Sequence, residues 1–174
     1  NFRARFVACG TPPPPPINDL CDTPIPLNVG GVYDDYDQDT TSLGATLSPE
    51  FPQPSCGVFN FQSVGKDVWY QFVVPSSGSA TVETGGTSTG APGIDTVVQA
   101  YSGSCGALIA LDCDDDGATE VVVGHSKLQL TGLTPGQLVL LRVFGYNGAQ
   151  GNFGISVYDA SLATIAFAES QFVA

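Results

Sequence analysis

The chain has 174 residues, with 21 Gly, 13 Pro and no Met, and a formal net charge of −12 although only 13% of its residues are charged. This length suits one domain of ordinary size with tails, and the low charged fraction excludes a coiled coil or a charge-rich disordered chain. The acidic balance argues against nucleic acid as a partner, and no apolar run is long enough to span a membrane. Five Cys in a Lys-poor chain indicate an oxidising compartment, so we expect a secreted, extracellular or cell-surface protein.

The N-terminal residues 1–10 alternate in the way a β-strand does. The apolar side chains on one predicted face are Phe2, Ala4, Phe6 and Ala8. Residues 11–16 are Thr followed by five Pro, which predicts a stiff polyproline II linker of roughly 15 Å at about 3.1 Å per residue. A lone strand is not stable in water, so strand 1–10 must pair with a sheet. The stiff linker favours the sheet of a neighbouring molecule; the alternative is a strand that folds back on its own domain.

Residues 17–159 carry the strand pattern of the domain itself. Asp67–Val74 alternates most clearly, with Val68, Tyr70 and Phe72 on one face and Trp69 on the other. The other predicted strands are Leu27–Tyr33, Ser79–Thr84, Asp95–Tyr101, Ala107–Leu111, Lys127–Leu130, Leu138–Gly145 and Asn152–Tyr158, the last two joined as a hairpin. Strands and turns at intervals of about eight to twelve residues, without a convincing amphipathic helix, indicate an all-β fold: an antiparallel, jelly-roll-like β-sandwich.

Two further segments flank or interrupt this pattern. The acidic run Asp34–Thr41 is predicted to be a loop. Residues 160–174 form an apolar tail beyond the last strand of the sandwich, and we expect a further strand or a second docking segment there, with a short helix as the alternative.

An acidic cluster stands beside the strands at the centre of the sequence. The candidate ligands are Asp95, Asp112, Asp114, Asp115 and Asp116. Ca²⁺ takes six to eight oxygen ligands, and carboxylates from one short turn can supply several of them, so the cluster predicts an irregular calcium site. The alternative is a solvated acidic loop without an ion.

The cysteines suggest two local disulfide bonds. Cys105–Cys113 would bracket a predicted strand, and Cys21–Cys56 would tie the start of the domain to a Pro-rich loop. Each would stabilise the fold by roughly 2–4 kcal/mol. Cys9 is then the odd cysteine, and other pairings stay open.

Five short motifs, in this order along the chain, resemble the bacterial pre-peptidase C-terminal type of domain over about residues 17–158. They are Asn18-Asp19-x-Cys21, Asp67-Val68-Trp69-Tyr70-x-Phe72, Tyr101-Ser102-Gly103-x-Cys105-Gly106 with Cys113-x-Asp115-Asp116, Leu133-Thr134-Pro135-Gly136, and Arg142-Val143-x-Gly145-Tyr146-Asn147-Gly148. The resemblance implies a secreted jelly-roll domain, often stabilised by calcium, that accompanies an enzyme or adhesin and has no catalysis of its own. Here strand-like tails flank the motifs instead of a catalytic domain.

Catalytic motifs are absent from the sequence, so we expect no enzyme. His125 is the single histidine, and neither a Gly-x-Ser-x-Gly elbow nor a His-Glu-x-x-His motif occurs. Four aromatic residues are candidates for stacking on a sugar: Tyr36, Trp69, Tyr101 and Tyr146.

Two functional hypotheses follow from these patterns. The first is a structural subunit of an extracellular filament, a head-to-tail homopolymer in which strand 1–10 completes a neighbour's β-sheet. The second is a secreted, calcium-stabilised accessory module that binds polysaccharide or a matrix protein.

Overall fold

Ten strands run through the residues that the structure, a computed structural model, describes: 11–48, 51, 53–56, 66–118 and 124–163. The strands are β1 (Ile25–Pro26), β2 (Val29–Gly30), β3 (Gln38–Thr41), β4 (Asp67–Val73), β5 (Ala80–Gly85), β6 (Thr96–Ser104), β7 (Ala107–Asp114), β8 (Lys127–Leu130), β9 (Leu138–Gly145) and β10 (Asn152–Tyr158). Short 3₁₀ helices lie at Tyr33–Asp35 and Tyr146–Gly148. None of the helices among these residues is long and apolar enough to cross a membrane.

The strands form two facing sheets. Sheet A has the order β1-β4-β9-β6-β7, and sheet B has the order β2-β10-β5-β8, with β3 also paired to β10. The long ladders are antiparallel, whereas the two-residue strands β1 and β2 run parallel to β4 and β10. The β-sandwich predicted from the strand spacing is confirmed, with these short parallel additions at its edges.

Alternation along β4 explains where the core lies. Val68, Tyr70 and Phe72 point into the space between the sheets, where they pack with side chains of β5, β9 and β10. Trp69 points to the outer face of sheet A and is fully buried there, against Tyr101 and the segment that contains Phe51. The centre of sheet A is therefore buried on both faces, as the near-continuous apolar character of β4 and β9 requires.

Two expectations about single segments are wrong. The strands β9 and β10 are not a hairpin, because β9 pairs with β4 and β6 in sheet A while β10 pairs with β5 in sheet B. The loop 146–151 instead carries the chain from one sheet to the other. The acidic run 34–41 contains the strand β3, whose Thr40 hydroxyl lies 2.6 Å from the hydroxyl of Tyr70.

The disulfide bonds join different cysteines from those predicted. Cys21 bonds to Cys105 and Cys56 bonds to Cys113, each with a Cα–Cα distance of 5.7 Å. The predicted pairs Cys21–Cys56 and Cys105–Cys113 are wrong because Cys105 and Cys113 stand before and near the end of the extended strand β7, which holds them apart. Both bonds instead fasten β7 to the segments that cover the outer face of sheet A.

The structure describes the inner part of each tail, namely residues 11–16 and 160–163. Residues 1–10, with Cys9, lie outside the described residues, but the linker 11–16 crosses the loop around Gly44. A Cβ atom on Gly44 would lie 2.5 Å from the carbonyl oxygen of Pro14. At the other end, residues 160–163 form a helical turn and not a strand. Asp159 caps this turn by accepting hydrogen bonds from the N–H and the hydroxyl of Ser161, at 3.0 and 2.8 Å.

Candidate metal centre

Three of the predicted carboxylates converge at one end of sheet A. Asp95 immediately precedes β6, and Asp115 and Asp116 immediately follow β7. Because β6 and β7 are antiparallel, with Val98 opposite Asp114, the start of one lies beside the end of the other. One carboxylate oxygen from each of the three residues lies within 4.8 Å of the other two.

The electrostatics of this cluster favour a cation. The Oδ1 atoms of Asp95 and Asp115 are buried and have no hydrogen-bond partner among the described residues. Burial, together with the charges of Asp116, Asp95 and Asp114, raises the pKa of Asp115 to about 6. Burial and Asp116 also raise the pKa of Asp95, although His125 acts in the opposite direction. Buried, unpartnered oxygens that repel one another are the donor set that a hard cation satisfies.

The backbone at Gly124 lies opposite the carboxylates, and the absence of a side chain there leaves room for them. A Cβ atom on Gly124 would collide with Asp116 Oδ1 and would lie 2.9 Å from Asp95 Oδ1, so a side chain there would have to displace these carboxylates. Ser126 fixes the acidic turn, since its buried hydroxyl donates to the carbonyl oxygens of Thr96, at 2.6 Å, and Asp114, at 3.1 Å. Sequence reasoning missed Gly124 and Ser126; the available signal was a glycine three residues before the predicted strand Lys127–Leu130.

Two of the five predicted ligands do not join the cluster. Asp114 Oδ2 accepts hydrogen bonds from the backbone N–H groups of Gly117 and Lys127, each at 2.8 Å, so this carboxylate closes the turn after β7. Asp112 lies exposed on β7 and accepts a hydrogen bond from the N–H of Cys113 at 2.9 Å. The three-carboxylate cluster therefore consists of Asp95, Asp115 and Asp116, and the structure does not bring Asp112 and Asp114, also predicted as ligands, into it.

The aromatic candidates for sugar stacking do not form one exposed surface. Trp69 and Tyr101 are buried on the outer face of sheet A, with ring centroids 6.1 Å apart. Trp69 donates its indole N–H to Asp67 Oδ2 at 3.1 Å, and Asp67 is paired with Arg142. These residues hold the covering loops on sheet A; of the four candidates, Tyr36 is exposed and Tyr146 is half-buried.

The chain is similar to known proteins at the level of solved structures. No family model matches the chain, and no curated protein does. Among solved structures, the chain is similar to the 1.0 Å crystal structure of the pre-peptidase C-terminal domain of a collagenase from Bacillus anthracis. The alignment covers 76% of this chain and 90% of that chain, with 12% sequence identity and a TM-score of 0.41. This is the type of domain that the sequence motifs resemble.

Proposed function

We propose that the protein is a structural subunit of an extracellular filament, and that it polymerises by adding residues 1–10 to the sheet edge of a neighbouring copy. The observation that carries the proposal is the outer edge of β7. Within the described residues, β7 is the last strand of sheet A and pairs with β6 alone. A long, unprotected strand edge is a template for another strand, and soluble proteins usually shorten or cover such edges.

The edge of β7 is long, apolar and rigidly held. It spans eight residues, and from Ala107 to Asp112 no strand lies on its outer side in the described part of the chain. The side chain of Ile109 is 65% exposed, and Ala107 and Ala110 are exposed beside it. The disulfide bonds of Cys105 and Cys113 hold the strand near both ends, so little conformational freedom is lost when a partner strand docks.

The N-terminal segment has the composition that such an edge requires. Its alternation gives an incoming strand one apolar face, and burial of Phe2 and Phe6 would contribute roughly 1.5–3 kcal/mol each. Arg3 and Arg5 bring positive charge to a molecule whose net charge is −12. Donation from one end of a subunit to the edge of the next is a heterologous contact, and such contacts propagate as open fibres.

Truncation tests the proposal directly. A chain lacking residues 1–10 keeps the polyproline linker on the Gly44 loop, so only the donor strand is removed. We expect the full chain to form fibres in electron micrographs and the truncated chain to remain monomeric by light scattering. Monomers from both chains would contradict strand donation and would favour the second hypothesis, a secreted module that binds polysaccharide or a matrix protein.

Point variants locate the two partners of the contact. Phe6→Asp places a charge in the apolar donor face, and Ile109→Lys places one on the acceptor edge; we expect each to shorten the polymers or abolish them. Val73→Lys is the matched control, because Val73 is 56% exposed on the same sheet but lies on the interior strand β4. Polymers of unaltered length in Ile109→Lys would exclude β7 as the acceptor.

We propose that calcium stabilises this subunit by binding between Asp95, Asp115 and Asp116. The buried, unpartnered oxygens of Asp95 and Asp115 support this site. Calcium would neutralise carboxylates that otherwise repel one another, and backbone carbonyls, bidentate binding or water would complete its six to eight ligands. The two disulfide bonds, which persist in oxidising compartments, support an extracellular location, where calcium is abundant.

Calcium removal is expected to lower the melting temperature. At a free calcium concentration about 100 times the Kd, binding contributes about 2.7 kcal/mol to the free energy of unfolding, and a chelator removes that contribution. Asp115→Asn should abolish the difference between calcium and chelator, whereas Asp112→Asn, which changes a nearby carboxylate outside the cluster, should keep it. An unchanged melting temperature of the parent protein in chelator would exclude the site.

A further inference from the structure

A polar groove lies on the outer face of sheet B, separate from the edge of β7. Its floor is formed by Glu83 and Gly85 of β5, with Lys127 of β8 and Tyr158 of β10 beside them. Tyr33 forms one wall, and the loop 86–92 forms another. The groove encloses about 930 Å³, at the upper end of the range of small-molecule sites, about 300–1,000 Å³.

The groove contains buried polar atoms that have no hydrogen-bond partner in the part of the chain that the structure describes. His125 is only 5% exposed, yet neither of its ring nitrogens has a hydrogen-bond partner among the described residues. The phenol oxygen of Tyr33 is likewise buried and unpartnered. An unsatisfied buried polar group costs free energy. Three such atoms lining one groove therefore indicate that a bound ligand supplies their hydrogen bonds.

The walls of the groove are formed in advance. Loop 86–92 is fastened to β3, because the N–H and hydroxyl of Ser88 donate to the carboxylate of Asp39 at 2.7 and 2.6 Å. Tyr33 lies directly over Gly85, since a Cβ atom there would be 2.5 Å from the phenol oxygen. The main chain of the Tyr33 turn is held by Ser156, whose hydroxyl donates to the Tyr33 carbonyl oxygen at 2.7 Å.

The two charged groups at the floor of the groove, Lys127 and Glu83, form an ion pair, and Asp34 on the wall adds one further carboxylate. Lys127 Nζ lies 3.0 Å from Glu83 Oε2, and the Tyr158 hydroxyl donates to the same oxygen at 2.5 Å. Lys127 would repel an organic cation, while Glu83 and Asp34 would repel an anion. The unpartnered groups that remain offer both donors and acceptors, since the phenol and a neutral imidazole can each do both.

We propose that this groove binds a neutral polyhydroxylated ligand, namely a saccharide unit. Each hydroxyl of a sugar is both donor and acceptor, which matches Tyr33 and His125. The aromatic rings of Tyr33 and Tyr158 and the apolar surface of Ala91 and Pro92 suit the C–H face of the ring. This site is separate from the edge of β7, and Tyr33 distinguishes it from the calcium cluster, which His125 adjoins through Asp95.

Ligand-observed saturation-transfer NMR tests the proposal, because it works on monomers and on fibres of the full chain. The probes are glucose, maltose and cellobiose, with glucuronic acid and glucosamine as charged analogues of glucose. We expect saturable binding of at least one neutral sugar at millimolar concentration and weaker binding of both charged analogues than of glucose. Phe6→Asp should leave this binding unchanged even where it abolishes fibres.

Two variants connect the signal to the groove. Tyr33→Phe removes one buried hydroxyl that has no hydrogen-bond partner among the described residues, so it should not lower the melting temperature but should raise the Kd about tenfold. His125→Phe should act in the same direction, and Tyr36→Phe, an exposed tyrosine of the same segment, should have no effect. Absence of saturable binding by every neutral sugar, tighter binding of a charged analogue than of glucose, or an unaltered Kd in Tyr33→Phe would each overturn the proposal.

Discussion

Arg142 carries its positive charge inside the molecule, fully buried with Asp67 at an Nε–Oδ2 distance of 3.0 Å. Hydrogen bonds to other groups add to the attraction between the two charges. Asp67 also accepts hydrogen bonds from the Trp69 indole and the Ser48 N–H, each at 3.1 Å, and Arg142 donates to the Ser48 carbonyl oxygen at 2.9 Å. Such complete hydrogen bonding is the condition under which a buried ion pair is tolerated.

Removal of one partner of this pair is predicted to be strongly destabilising. Arg142→Met leaves Asp67 buried without a counter-charge and should lower the free energy of unfolding by about 3–5 kcal/mol in urea denaturation. Lys127→Met removes a cation whose side chain is 24% exposed beside Glu83, and should cost less than Arg142→Met because solvent reaches the lysine. Equal losses in the two variants would contradict the structural role assigned to Asp67 and Arg142.

The sequence allowed the contacts of a residue to be predicted only where the contacting residues lie near one another along the chain. The clustering of Asp95, Asp115 and Asp116 could be predicted because antiparallel strands joined by a short turn bring them together. Asp114 could not be separated from them, because the N–H of Lys127 that it binds lies 13 residues away. The partner of Asp67 could not be identified either, because Arg142 is 75 residues distant.

At the scale of elements, the alternation of side chains identified strands but not the sheets to which they belong. β4, β9 and β10 lie at their predicted positions because apolar residues at every second position must face the core. The chain order then suggested a β9–β10 hairpin, although either sheet could have accepted β10. β3 could not be recognised from the sequence because Gln-Asp-Thr-Thr has no apolar face. The strand forms through its backbone pairing with β10.

The polyproline linker is an element whose position depends on one glycine. Gly44 has a φ of +80°, and a Cβ atom there would lie 2.5 and 2.7 Å from the carbonyl oxygens of Pro14 and Pro13. A side chain at position 44 would therefore meet two obstacles: the left-handed backbone conformation and the backbone of the linker.

Two glycine variants separate these obstacles. Gly132 has a φ of +69° and open space around it, so Gly132→Ala measures the conformational cost alone, about 1 kcal/mol. Gly44→Ala should cost clearly more in urea denaturation, because it also displaces the linker. The excess should disappear in a chain lacking residues 1–16; an excess that persists there would show that the linker is not the obstacle.

At the scale of the whole molecule, two covalent bonds connect regions that are distant in the chain. Cys21–Cys105 closes a loop with a sequence separation of 84, and Cys56–Cys113 one of 57. Loops of this length strongly restrict the unfolded chain, and the chain-entropy treatment assigns each bond about 4–5 kcal/mol. For a sandwich of this size, that contribution is comparable with a large part of the net stability.

Paired serine variants test this connectivity. Replacing Cys21 and Cys105 together should lower the free energy of unfolding by up to about 4–5 kcal/mol and leave the Cys56–Cys113 bond intact in peptide mapping. Replacing Cys105 and Cys113 together should remove both bonds and cost more than either native pair. A single intact bond after the second replacement would contradict the connectivity described above.

The position of two cysteines around β7 also imposes an order on oxidative folding. In the unfolded chain, Cys105 meets Cys113 more often than Cys21, because closing the shorter loop costs about 2 kcal/mol less conformational entropy. A bond between these two near neighbours is incompatible with an extended β7, so it traps a chain that cannot complete sheet A. Productive folding therefore requires β7 to pair with β6 before its thiols oxidise, or a thiol–disulfide isomerase that reopens the trapped chain. The strand proposed to accept the neighbouring subunit is thus also the strand whose early formation decides whether a subunit matures.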